Sequence, residues 1–127
     1  MKTAQKFYIC EICHNFVGLI DDHKKPLVCC GKEMVELVAN TVDASQEKHV
    51  PAVEISGNEI HVTVGSEPHP MVDEHWIQFI YVETEKGGQR KSLKPGDVPT
   101  AKFAFVDDKP LVVYEYCNLH GLWKKEL

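Results

Sequence analysis

Towards its C-terminal end the chain reads VVYEYCNLHGLW, which places Cys117 three residues before His120. A thiolate and an imidazole at that spacing can reach one metal ion, but two ligands do not complete a site. In the first segment Cys10 and Cys13 form a CxxC, and Cys29 and Cys30 an adjacent pair. Four thiolates in two close pairs suit a tetrahedral ion, and spacing alone leaves zinc and a single iron both open. A CxxC works because a tight turn aims both sulfurs at one point while following amides hydrogen-bond to them. Adjacent side chains diverge, so Cys29 and Cys30 are expected to meet one ion only with a distorted geometry.

Partners for Cys117 and His120 must come from elsewhere. His49 in EKHVP, His69 in EPHPM and His75 in DEHWI each fall where a strand pattern meets a loop. Pro68 and Pro70 flank His69, remove two backbone donors and fix the chain direction, as a ligand carried on a loop requires. His61 alternates with Ile60, Val62 and Val64, which puts it on the solvent face of a strand. His14 and His23 are expected at the surface without a role. For any single histidine the surface is the ordinary place. Four at loop–strand junctions beside a CxxH weigh a second metal site equally against it.

The elements that must hold these residues are short. Residues 1–37 carry four of the five cysteines and only brief apolar runs broken by turns such as Asp21-Asp22 and Gly31. The pattern predicts small strands, in a piece below the ~40 residues at which a core alone suffices, so it needs a metal staple. Residues 38–127 open with a polar connector, Val38 to Lys48, with room for one helical turn. Then follow HVPAVEI, EIHVTVG, HWIQFIYVET, RKSL, TAKFAFV and LVVYEYC, separated by Gly, Pro, Asn and Asp turns; Lys94-Pro95-Gly96-Asp97 is one of these turns. Six or seven strands at such spacing predict a mainly β fold, an antiparallel β-sandwich of immunoglobulin-like type.

Bulk properties narrow the function. A formal net charge of −5 argues against a general nucleic-acid or anionic-membrane binder. No apolar run approaches the roughly 20 residues that span a bilayer, and MKTAQKFYIC has no signal-peptide core. A cytoplasmic location is the expectation. In a reducing compartment an odd set of five cysteines points to metal binding or catalysis before disulfides.

The motifs YICEIC with LVCCG, then EKHVP, PHPM, HWI, LKPGD and EYCNLHG.W, in this order, resemble desulfoferrodoxin, the two-iron form of superoxide reductase, over essentially the whole chain. The resemblance implies a desulforedoxin-like first domain (1–37) with an iron on Cys10, Cys13, Cys29 and Cys30. It implies a second domain (38–127) with an iron on His49, His69, His75 and His120 in the equator and Cys117 on the axis. It further implies two mononuclear irons, superoxide as substrate, a rubredoxin or similar small electron donor, and a homodimer. Glu47, just before Lys48 and His49, matches the family's sixth ligand in the resting oxidised state. One departure is His14 directly after the CxxC, where rubredoxin-like knuckles place glycine, so some strain of that turn is expected.

Five protein ligands exceed a structural zinc site, which closes at four, and suit an iron with one position open. An axial thiolate pushes electron density through the metal, as haem thiolates do. Lys48 beside an open cationic site would draw in superoxide and help deliver protons through water. Without the resemblance, Glu47 and Lys48 read as a solvated pair on a loop. Trp76 and Trp123 adjoin His75 and His120 in sequence and are expected to pack around them. The rivals are an electron carrier working through the four-cysteine site alone and a structural zinc protein that binds a partner.

Overall fold

The computed structural model describes residues 5–41, 46–67 and 69–127, without the side chains of Gln46 and Glu47. The chain divides into two compact units, Met1–Val38 and Ala39–Leu127. The first is a three-stranded antiparallel sheet, order β2-β1-β5, of β1 (Lys6–Ile9), β2 (Phe16–Leu19) and β5 (Val35–Leu37), with a two-stranded hairpin of β3 (Val28–Cys29) and β4 (Lys32–Glu33). Its interior is little more than Phe7, packed on Phe16 with ring centroids 5.8 Å apart, and Cys10. Asp22 ties the sheet to the following loop by ion pairs to Lys6 at 2.7 Å and Lys24 at 3.0 Å. Lys6 and the Lys24 amide and ammonium hold the Asp22 carboxyl well below the usual carboxylate range. So small an interior leaves the unit dependent on what its cysteines bind.

The second unit opens with a single helical turn, α1 (Gln46–His49), as the polar connector allowed. Seven strands follow: β6 (Pro51–Ser56), β7 (Glu59–Val64), β8 (Ile77–Thr84), β9 (Gly87–Ser92), β10 (Thr100–Ala104), β11 (Pro110–Cys117) and β12 (Gly121–Glu126). They form two antiparallel sheets, β10-β7-β6 and β12-β11-β8-β9, the architecture of an immunoglobulin-like sandwich. Period-2 alternation fills the space between them. Ile60, Val62 and Val64 of β7 point inward while His61, as expected, faces solvent. Ile80, Val82, Phe103, Val113 and Cys117 complete the same core.

Two strand limits differ from the sequence reading. GlyGly at 87–88, expected within a turn, belongs to β9 and pairs with Thr84 and Glu83. Gly88 is required there because a Cβ would collide with the Tyr81 phenol lying over it. β12, GLWKKE, was not expected as a strand. It has few apolar residues, and its pairing along its whole length with β11, from Val112–Glu126 to Cys117–Gly121, supplies what local propensity does not.

Candidate metal centres

The structure brings together all four N-terminal cysteines. Their sulfurs lie within 4.8 Å of one another, with Cys13 Sγ 3.6 Å from Cys29 Sγ and Cys29 Sγ 4.0 Å from Cys30 Sγ. A tetrahedron with metal–sulfur bonds of about 2.3 Å has edges of about 3.8 Å, so the cluster fits one ion. The Cys13 amide donates to Cys10 Sγ at 3.5 Å, the turn bond a CxxC provides. That backbone N–H is the largest influence drawing the Cys10 thiol down to about 6, against its burial. Cys30 is pushed up to about 12 by hydrogen bonding to the neighbouring thiols of Cys13, Cys10 and Cys29. A metal must therefore displace protons as it binds.

Both expected distortions are present. Cys30 sits at φ 55°, a left-handed turn that lets two adjacent sulfurs converge. His14 sits at φ 67°, its amide donating to the Cys10 carbonyl at 2.9 Å while its side chain is exposed. A left-handed conformation costs a side-chain-bearing residue roughly 1–2 kcal/mol that glycine avoids. Replacing His14 by glycine should therefore stabilise the first unit by about 1 kcal/mol. The guanidinium midpoint for loss of the four-cysteine centre's absorbance should rise; a fall would contradict the strain.

The second cluster is built from three places in the sandwich. His49 ends α1, His69 and His75 lie in the loop between β7 and β8, and Cys117 and His120 bracket the β11–β12 turn. His49, His69, His75 and Cys117 offer ligand atoms within 4.8 Å of one another. The four imidazoles close a ring: centroids are 4.8 Å apart for His49–His69, 4.7 Å for His69–His75, 5.0 Å for His75–His120 and 4.8 Å for His120–His49, each pair edge-on. Cys117 Sγ lies 4.0 Å from His120 Nδ1 and is completely buried.

The protonation states say what the ring is for. His69 Nδ1 is 2.6 Å from the Pro70 carbonyl, which can only accept, so the proton is on Nδ1 and Nε2 presents a lone pair. That Nε2 lies 3.2 Å from His49 Nε2, which is in turn 3.0 Å from His120 Nδ1. One nitrogen can share one proton with one neighbour, not two. His75 Nε2 is buried with no hydrogen-bond partner among the described residues. Converging nitrogens with too few protons to share fit a cation, and adjacent corners of a square with metal–nitrogen bonds of about 2.1 Å are about 3.0 Å apart. Burial, then the neighbouring rings, holds His69 down at about 4, so the ligand is neutral at physiological pH. His75 is lowered by burial first, then by His120 and Lys48.

Around the ring the sequence expectations meet mixed ground. Trp123 is buried, stacks on His49 at 5.1 Å and 24°, and donates Nε1–H to the His120 carbonyl at 3.0 Å. Trp76 is half-buried. Lys48 is exposed, and its charge is felt at His75. Pro68 and the Glu47 side chain lie outside the described residues. The Lys94–Asp97 turn does more than reverse the chain: its Gly96 amide donates to the Met71 carbonyl at 2.9 Å, bracing the loop that carries His69 and His75.

Two residues had no part in the sequence reading. Glu115 is fully buried on the core face, its two carboxyl oxygens unpartnered among the described residues. Burial holds its acid well above the usual range, and its proximity adds to the burial that raises the Cys117 thiol. Backbone amides of Leu119 and His120 oppose that rise. Asn118 is the other: its amide bonds to the main chain at Glu74 and Trp76.

The family profile described as desulfoferrodoxin matches residues 41–126, and that of the desulfoferrodoxin N-terminal domain matches residues 2–37. A desulfoferrodoxin of Syntrophotalea carbinolica is 49% identical over 126 residues, 99% of each chain. The crystal structure of the superoxide reductase from Treponema pallidum superposes with a TM-score of 0.82 at 36% identity, covering 98% of this chain and all of that one. A superoxide reductase (1Fe-SOR) from Giardia intestinalis matches with a TM-score of 0.55 at 34% identity, covering 64% of this chain and 99% of that one.

Proposed function

The chain belongs to the desulfoferrodoxin family, and from that premise we propose that it reduces superoxide to hydrogen peroxide at an iron held by His49, His69, His75, His120 and Cys117. The observation that carries the reading is the closed ring of four imidazoles over one buried thiol, in which His49 Nε2 can share a proton with only one of its two neighbours and the buried His75 Nε2 has no partner among the described residues. Ferrous iron held by these five residues would supply the one electron and a place for superoxide to bind. One electron and two protons convert superoxide to peroxide, so no dioxygen forms.

The chain's residues divide the remaining work. His49 is fixed by its stack on Trp123 and His120 by the bond its carbonyl accepts from the same indole, so two of the residues that would hold the iron share one buried support. Cys117 lies in the apolar core, where no water competes for its sulfur and where the Leu119 and His120 amides favour the thiolate. Lys48 stays in solvent beside the ring, where it draws in an anion against the protein's net negative charge and delivers protons through water. Glu47 is assigned as the ligand that closes the open position in the resting oxidised state, on the family resemblance alone.

Replacing Lys48 by alanine should lower the rate of superoxide capture by about tenfold at low salt and flatten its salt dependence, with iron content unchanged. Stopped-flow rates over a range of ionic strength measure this. An unaltered rate and slope would remove Lys48 from the mechanism.

The four-cysteine centre is assigned a second iron with an electron-transfer role. That a 1Fe-SOR is among the similar structures supports placing the chemistry itself in the sandwich. A rubredoxin-type carrier is the proposed donor. A homodimer is supported by the aliphatic surface of the small unit, where Ile12, Ile20, Val28 and Val38 are more than half exposed. A cytoplasmic compartment is proposed from the cysteine usage of the sequence, which suits metal binding better than disulfides. Among the described residues no helix is long and apolar enough to cross a membrane. Iron quantitation tests the whole assignment: two irons per chain are expected, and one zinc without iron would end it.

A further inference from the structure

Of the four imidazoles, His75 is the one whose Nε2 is buried with no hydrogen-bond partner among the described residues. A metal-ligating histidine ordinarily donates its other N–H to a partner that fixes the ring. His69 does so through the Pro70 carbonyl, while Trp123 steadies His49 and His120. For His75 the structure shows support at the backbone. Its own amide and carbonyl pair with Val72, both at 3.0 Å, which shapes the loop but does not attach it to the other ligands.

That attachment comes from Asn118, which sits between Cys117 and His120. Its Oδ1 accepts the Trp76 amide at 2.9 Å, its Nδ2 donates to the Glu74 carbonyl at 3.0 Å, and its own amide donates to the Trp76 carbonyl at 3.3 Å. The three bonds grip the chain immediately before and after His75. We propose that Asn118 is a positioning residue that locks the His75 loop onto the Cys117–His120 turn, so that the fourth imidazole is held in place before the metal arrives. The inference rests on the five-ligand iron reading. Asparagine suits the task because one planar amide offers an acceptor and a donor on opposite sides. Aspartate keeps the first bond and loses the second.

The test is the rate at which ferrous iron leaves the folded, fully loaded protein for an excess of chelator, with the four-cysteine centre's spectrum as internal control. N118A should release the sandwich iron at least about tenfold faster, the scale on which supporting residues act, and N118D by an intermediate factor. Neither should disturb the four-cysteine spectrum. A merely structural role is separated by a cycle with His75: in an H75A background, N118A should change release less than about twofold, because the group it acts through is gone. Should N118A fail to fold, N118D and its H75A partner carry the same comparison. Wild-type release in both Asn118 variants, or an undiminished effect in the H75A background, overturns the proposal. A wild-type sandwich that takes up no iron overturns the proposed function and this inference together, whereas a tight centre indifferent to Asn118 overturns this inference alone.

Discussion

Exchanging Cys117 for serine is expected to remove superoxide reduction and the sulfur-to-iron absorption of the sandwich centre while leaving the four-cysteine centre intact. The thiol is completely buried, and burial raises its ordinary titration, so in the metal-free chain it keeps its proton. Iron binds only by displacing that proton, which a thiol permits and a serine hydroxyl, a far weaker acid, does not. The loss should exceed the roughly 10- to 100-fold caused by removing a residue that only supports a ligand. The Leu119 and His120 amides can still donate to a serine oxygen there, so the loss is expected in the metal chemistry and not in the fold. Absorption spectra, iron content and stopped-flow rates measured on one preparation check all of this. Wild-type turnover in the C117S protein would show that the axial sulfur is not part of the chemistry.

The second large effect belongs to Trp123. It is the largest fully buried side chain, and one ring supports two ligands, by its stack on His49 and its N–H to the His120 carbonyl. Truncation to alanine should cost the second unit about 3–5 kcal/mol from the lost burial and the cavity. For a domain of this size that lowers the melting temperature by roughly 12 °C or more. Iron should leave the sandwich centre before the fold melts. W123F keeps the stack and most of the volume but loses the indole donor, so it should retain iron and lose only about 1–2 kcal/mol. A W123A protein that melts within a few degrees of wild type would contradict this view of the core.

The metal chemistry was legible in the sequence to different depths. The CxxC and the Cys29-Cys30 pair announced a site by spacing, because their ligands lie on two short turns. Cys117 and His120 did so for two of the five ligands of the second site. His49, His69 and His75 have no mutual spacing rule, since His49 arrives on α1 and the other two on the loop between β7 and β8, and sheet pairing brings these segments together. Their position at strand ends suggested them, and the family resemblance completed the set. The alternation of β7 read correctly because one of its faces is buried and the other wet. β12 escaped notice because Lys124, Lys125 and Glu126 conceal a strand that exists by pairing with β11. The glycines of β9 read as turn residues because nothing in sequence reveals that Tyr81 lies over Gly88.

Asn118 and Glu115 were hidden for opposite reasons. Asn118 bonds to main chain more than forty residues away, a relation that local reading cannot contain. Glu115 lies in YEYC, where a carboxylate reads as solvent-facing. The register places it opposite Trp123 on the buried face, two residues from Cys117. A buried acid without a partner is the kind of local cost that folds tolerate at functional sites.

The central claim is that superoxide is only reduced at the sandwich centre, to peroxide, and is not oxidised there to dioxygen. Its most direct test is the yield of peroxide and dioxygen when the reduced, two-iron protein meets less than one equivalent of superoxide. One peroxide per superoxide with no dioxygen is expected. Half a peroxide and half a dioxygen per superoxide, the signature of dismutation, would contradict it.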